Sequence, residues 1–278
     1  MRPPHEATRS SPSLDVCQPT VEGSALLFPA AELALAVSVV AGAALQRIAG
    51  MGFAMVVAPL AILLLPGQQG VVFANLCGAT AAFLLLGTVR RDVDWRRLAL
   101  LSVTSVAGAV LGALVVRSLD VATFRVVVGI VLLLGIGLSL VASKTTYEAP
   151  PVPASLAAGT ATGMLVTMSG IGGPPMSIYA IATRWDHQAF AATMQPFVVL
   201  TSLIGAGAVT ISTPNSAPVL EPMMWVFTAV GLPAGLIAGN LLHRVVPARI
   251  GRLIVILLGI VGALTAIGAG LTAAPTGH

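Results

Sequence analysis

Charge is the scarcest property of this chain: Asp, Glu, Lys and Arg together make up 9% of its 278 residues, where a soluble domain carries roughly 25%. Too little ionic surface remains to keep a chain of this size in water, so conventional soluble enzymes are excluded. Cysteine is nearly missing as well. Cys17 lies in a polar N-terminal stretch and Cys77 in an apolar run, which suggests neither a disulfide framework nor a metal cluster. Aromatic residues reach only 5%, and no aromatic-interleaved basic patch supports nucleic-acid binding. Carboxylates avoid the centres of the apolar runs, with Glu32, Asp120, Asp186 and Glu221 all near the ends. Carboxylate proton relays and acidic cation sites are therefore disfavoured. HExxH, GxxxxGK and GxSxG patterns are absent, so no catalytic residue, metal or cofactor is implied. His187 in TRWDHQ could carry a proton, but beside Trp185 it reads as an interfacial structural residue.

What is abundant is apolar: 56% of the residues, with 29 glycines and 19 prolines. Hydrophobic runs bounded by charge, glycine or proline give ten segments: 28–45, 51–65, 70–89, 98–116, 121–142, 153–168, 175–183, 188–211, 222–242 and 250–271. The expected class is an all-α polytopic membrane protein. Residues 1–27 lack the basic-then-apolar order of a signal peptide and read as a flexible polar tail. The remainder divides into a membrane repeat over 28–142, a linker over 143–152, a second repeat over 153–271 and a short tail over 272–278. Segments 51–65 and 175–183 are too short to cross about 30 Å of hydrocarbon with ease, and whether they cross or re-enter stays open.

Each short segment follows a glycine-broken stretch, AGMG (Ala49–Gly52) and SGIGGPP (Ser169–Pro175), and the two superimpose at a shift of 120 residues. Further along the shift becomes 127, placing Gly108, Gly112, Arg117 and Arg125 on Gly235, Gly239, Arg244 and Arg252. The extra loop STPNSAP accounts for the difference. Two repeats are expected. If the segments alternate, Arg47, Arg90, Arg91, Arg96, Arg97, Lys144, Arg184, Arg244, Arg249 and Arg252 share one side, which the positive-inside rule makes cytoplasmic. The loop RRDVDWRR is then cytoplasmic and its repeat partner STPNSAP is not, the signature of inverted repeats with both termini outside.

A glycine break at bilayer depth leaves backbone groups unpaired, and these are tolerated where they face protein or a wet cavity. The helix that restarts there aims its N–H groups and positive dipole end at the cavity, a ready site for an anion. Pro174 and Pro175 suit a first helical turn. Gly50, Gly52, Gly170, Gly172 and Gly173 are the expected backbone donors. Gln46, Ser169, Asn75, Thr193 and Gln195 are the polar side chains expected to complete the site, although each could equally serve interhelical hydrogen bonding. Gly108, Gly112, Gly231, Gly235 and Gly239 read as close-packing positions, and Arg47 and Arg184 more readily as interfacial anchors than as ligands.

The break SGIGGPPMSIYAIA, followed by a helix starting near HQAFAAT, resembles the TauE/SafE family of sulfite and organosulfonate exporters, also grouped as toluene-sulfonate uptake permeases. The likeness runs over about Ala31 to Ala269. The first break, AGMGFAMVVAPLA, keeps Gly50, Gly52 and Pro59 but lacks a glycine pair. The resemblance implies a secondary transporter in the inner membrane that moves a small anion such as sulfite by alternating access, with no cofactor. It leaves a coupling ion (H+ or Na+), the direction of transport and a homo-oligomer open. A passive anion channel and a membrane enzyme or assembly factor are the alternatives, the latter opposed by the lack of any His, Cys or carboxylate cluster.

Overall fold

A computed structural model describes residues 22–49, 52–142, 150–242 and 247–273. Ten α-helices occupy nearly all of them: α1 (Glu22–Ala49), α2 (Phe53–Leu64), α3 (Gln69–Val89), α4 (Trp95–Ser118), α5 (Val121–Ala142), α6 (Pro151–Ser169), α7 (Gly173–Ala182), α8 (His187–Ser212), α9 (Pro222–Leu242) and α10 (Ala248–Ala273). Helices are the expected outcome, because lipid offers no partner to an unpaired backbone group. Every expected apolar segment is a helix, and the class is all-α as read from the sequence. Helix α1 starts at Glu22, inside the stretch read as tail. Seven helices are long and apolar enough to cross a membrane. At the polar ends Asp94 and Asp186 cap α4 and α8, accepting from Arg97 N at 3.0 Å and Ala189 N at 2.9 Å.

The packing places small residues inside and large aliphatic ones outside. Helix α4 buries Ser105, Gly108 and Gly112 while exposing Val103, Val110 and Leu114, the arrangement expected when hydrocarbon is the solvent and close backbone approach drives association. A Cβ on Gly108 would run into the Thr160 carbonyl oxygen, and one on Gly112 would lie 2.7 Å from Met164 O. Gly159 and Gly163 of α6 approach α4 just as closely, against Leu101 and Ser105. The same device recurs where α9 meets α1, with Gly235 against Val40 and Gly239 against Ala44.

Exchanging the two halves maps most of the helix pairs onto themselves. The α4–α6 pair has its counterpart in α1–α9, α1–α2 in α6–α7, α2–α10 in α5–α7 and α4–α8 in α3–α9, while α3–α8 and α5–α10 are their own partners. Helices α2 and α7 open 120 residues apart at Phe53 and Gly173 and α4 and α9 open 127 apart at Trp95 and Pro222, whereas α3 and α8 open 118 apart at Gln69 and His187. Helices α3 and α8 run antiparallel. At one end Gln69 Nε2 donates to Asn215 O at 3.2 Å and Val219 N donates to Gln69 Oε1 at 3.2 Å. At the other, Asp94 N donates to Thr193 Oγ1 at 2.8 Å. The loops around Asp92 and Asn215 therefore sit at opposite ends of a helix pair about 30 Å long.

The short helices fold back. A Cβ on Gly42, seven residues before the end of α1, would lie 3.0 Å from Val57 and 3.2 Å from Phe53, so α2 returns alongside α1. Helix α7 likewise returns along α6, with Tyr179 reaching Ser155. At 12 and 10 residues the returning arms measure about 18 and 15 Å, short of the hydrocarbon thickness.

Candidate functional site

The hairpin tips are built by their glycines. Helix α6 stops because Gly170 takes a left-handed conformation (φ 75°) and donates its N–H back to Val166 O at 2.8 Å, a cap that side chains with a Cβ resist. Ser169 Oγ donates to Leu165 O at 2.8 Å and accepts from Ile171 N at 3.3 Å, which pins the connection. Gly172 is then the N-cap of α7, and Gly52, at φ 134°, is the N-cap of α2. Corresponding residues of the two halves thus open the two returning helices.

Both openings face one cavity of about 60 Å³. Gly52 to Met55 line it from the first tip and Gly170 to Gly173 from the second, with Gln46 of α1, Thr162 and Val166 of α6, and Gln195, Thr201 and Ser202 of α8. Among the expected site residues, Gln46, Gly52, Gly170, Gly172, Gly173 and Gln195 are brought together here. Asn75 stands just behind the wall. Its Nδ2 donates to Val166 O at 3.1 Å, and its Oδ1 lies 3.8 Å from where a Gly170 Cβ would be. Ser169 is spent on the tip itself. Thr193 is drawn to the loop end instead, donating to Ala189 O at 2.7 Å and accepting from Asp94 N. Gly50 lies outside the described residues.

Among the described residues, no charged side chain lines the cavity. Its electrostatics come from helix ends, whose orphan N–H groups carry a partial positive charge, set against an apolar remainder of Phe53, Met55, Met194 and Phe197. Such a surface suits a small anion that trades its water for fixed dipoles. Arg47 is engaged elsewhere, donating to Asn240 Oδ1 at 2.9 Å.

The family described as sulfite exporter TauE/SafE matches residues 34–275, nearly the whole chain. The chain belongs to that family. It is accordingly a multi-pass membrane transporter and not an enzyme, in keeping with its seven long apolar helices. No curated protein and no solved structure matches it.

In this TauE/SafE chain the two ends of the α3–α8 pair carry unlike contacts. At the arginine-rich end, Arg97 Cζ lies 4.6 Å from the centre of the Trp185 ring. That ring meets Tyr179 and Phe190 edge-on at 5.6 and 5.5 Å, and Arg97 Nε pairs with Asp94 at 3.3 Å. A cation over an indole face contributes about 1 kcal/mol, whereas the half-solvated ion pair adds little. The turn carrying Trp185 passes through Arg184 in a left-handed conformation (φ 46°). At the opposite end the neutral Gln69 bridge holds the loop over 213–221.

Thr162, Thr201 and Ser202 line the cavity without belonging to the glycine pattern. Thr162 carried a usable signal, since residues 162, 166 and 170 stack on one face of α6 at i, i+4 and i+8. Thr201 and Ser202 had none, because a hydroxyl on an apolar helix is ordinarily bonded to its own backbone.

Proposed function

We propose that this TauE/SafE-family transporter exports a small sulfur oxyanion, sulfite first and small organosulfonates second, by alternating access between two inverted halves. One observation carries the reading: the N-termini of two returning helices, from corresponding positions of the two halves, open onto a single uncharged cavity. Gly52, Gly172 and Gly173 open the two returning helices, Gly170 turns the second tip, Gln46 and Gln195 reach the ligand, and Asn75 and Ser169 hold the second tip. Thr193 acts at the loop end. The inversion is supported by the antiparallel α3 and α8, and a moving partition by the clamps at opposite ends of that pair, each joining elements of both halves.

Purified protein in proteoliposomes is expected to show saturable sulfite flux that accumulates against a concentration difference when a pH or Na+ gradient is imposed. Flux that never exceeds equilibration would make it a channel. Failure to move sulfite, sulfonates or sulfate removes the substrate assignment. Reporter fusions at Asp92 and Asn215 are expected to report opposite faces of the membrane, and finding both on one face refutes the inversion.

A further inference from the structure

The cavity is short of backbone hydrogen-bond donors. Helix α7 opens Gly173-Pro174-Pro175, so two residues of its first turn have no N–H to offer. The N–H of Ile171 is taken by Ser169 Oγ at 3.3 Å and that of Met55 by Gly52 O at 3.1 Å. First-turn groups of Phe53, Ala54 and Gly173 remain by helix geometry. Several oxygens of an anion need more than this.

Thr162 supplies what is missing. Five threonines among the described residues are almost fully buried: Thr162, Thr167, Thr193, Thr201 and Thr228. Four of them donate to the carbonyl four residues back, Thr167 to Gly163, Thr193 to Ala189, Thr201 to Phe197 and Thr228 to Met224, at 2.7–2.9 Å. Thr162 does not. Its hydroxyl oxygen is buried and has no partner, and the residue is 2% exposed; Thr162 is part of the cavity wall and turns its methyl to the second tip, 2.7 Å from where a Gly172 Cβ would sit, so a rotation about its Cα–Cβ bond presents the hydroxyl there. A buried hydroxyl left unpaired carries a desolvation penalty that is removed when an acceptor enters. The corresponding position of the first half, 120 residues earlier, is Gly42, so the donor is present on one side only.

We infer that Thr162 is a substrate-contacting residue whose hydroxyl donates a hydrogen bond to an oxygen of the bound oxyanion. The inference rests on the proposed anion site and adds to it a side-chain donor that the glycine pattern does not reveal.

Sulfite flux in proteoliposomes, with KM and maximal rate measured separately, tests it. Thr162→Val keeps the shape and removes the hydroxyl, and is expected to raise KM by roughly ten- to a hundredfold, the loss of one hydrogen bond to a charged group. Thr162→Ser is expected to stay within about twofold of the wild type, since the donor remains. A Thr162→Val protein with wild-type KM overturns the inference. So does a Thr162→Ser protein as impaired as Thr162→Val, which assigns the residue to packing. Thr162→Ala replaces Thr162→Val if the latter fails to insert. Should the wild type move no sulfite, the transport reading falls, and Thr162 is judged by thermal stabilisation with added sulfite in detergent. Stabilisation of the wild type that Thr162→Val loses upholds the contact, and equal or absent stabilisation overturns it.

Discussion

Gly172→Leu abolishes sulfite flux, by at least about a hundredfold, the scale on which a small misplacement at a reacting or binding centre is felt, while the protein stays inserted. Gly172 is the N-cap of α7 and part of the cavity wall. A Cβ there would stand 2.6 Å from Val166 Cγ2 and 2.7 Å from Thr162 Cγ2. Both neighbours are methyls of β-branched side chains that line the cavity of about 60 Å³ and have little rotamer freedom in a helix, so a larger residue displaces the cavity wall or fills the cavity. The leucine thus occupies the space the anion would take and covers the helix end that would bind it. Flux assays on reconstituted protein, with gel filtration in detergent to report folding, check this. Gly137→Leu is the matched control, since nothing lies within 4 Å of its Cβ position. Full activity in Gly172→Leu would move the site away from the second break.

Gly108→Leu is expected to act on stability, lowering it by about 3 kcal/mol, which for a protein of this size is a fall of about 5 °C in Tm. The obstacle here is backbone. A Cβ on Gly108 overlaps the Thr160 carbonyl oxygen and lies 2.9 Å from Met164 N. Neither can turn aside as a side chain does. Helices α4 and α6 must separate along a crossing that also holds Gly112, Gly159 and Gly163, and the dispersion contacts that replace the hydrophobic effect in lipid are lost together. Thermal unfolding in detergent measures the effect, with Gly87→Leu as control because its Cβ position is open. An unchanged Tm in Gly108→Leu would remove close packing as the role of that glycine.

The contrast between these glycines separates what was legible in the chain from what was not. Gly108 and Gly112 recur at the offset of Gly235 and Gly239, and the structure puts all four at helix crossings, as their spacing suggested. Glycines at 52, 170 and 172 stood out by a second signal, the short apolar runs after them. Polar residues were harder to read. Asn75, Thr193 and Gln195 lie at nearly equivalent repeat positions, yet Gln195 faces the cavity, Asn75 is bound to Val166 O behind its wall, and Thr193 is bonded to Asp94 N at the loop end.

By itself the sequence determined the solvent and the units. With so little charge, only lipid could surround this chain, lipid requires helices, and runs and glycine breaks mark where each helix starts and stops. These are local consequences of composition. Tertiary structure alone decided that α2 and α7 turn back along their predecessors, that the two tips share a cavity, and that the hydroxyl of Thr162, unlike those of its buried counterparts, has no carbonyl partner. A hydrogen bond depends on which atoms stand within about 3 Å, and that distance is set by helices far apart in the chain.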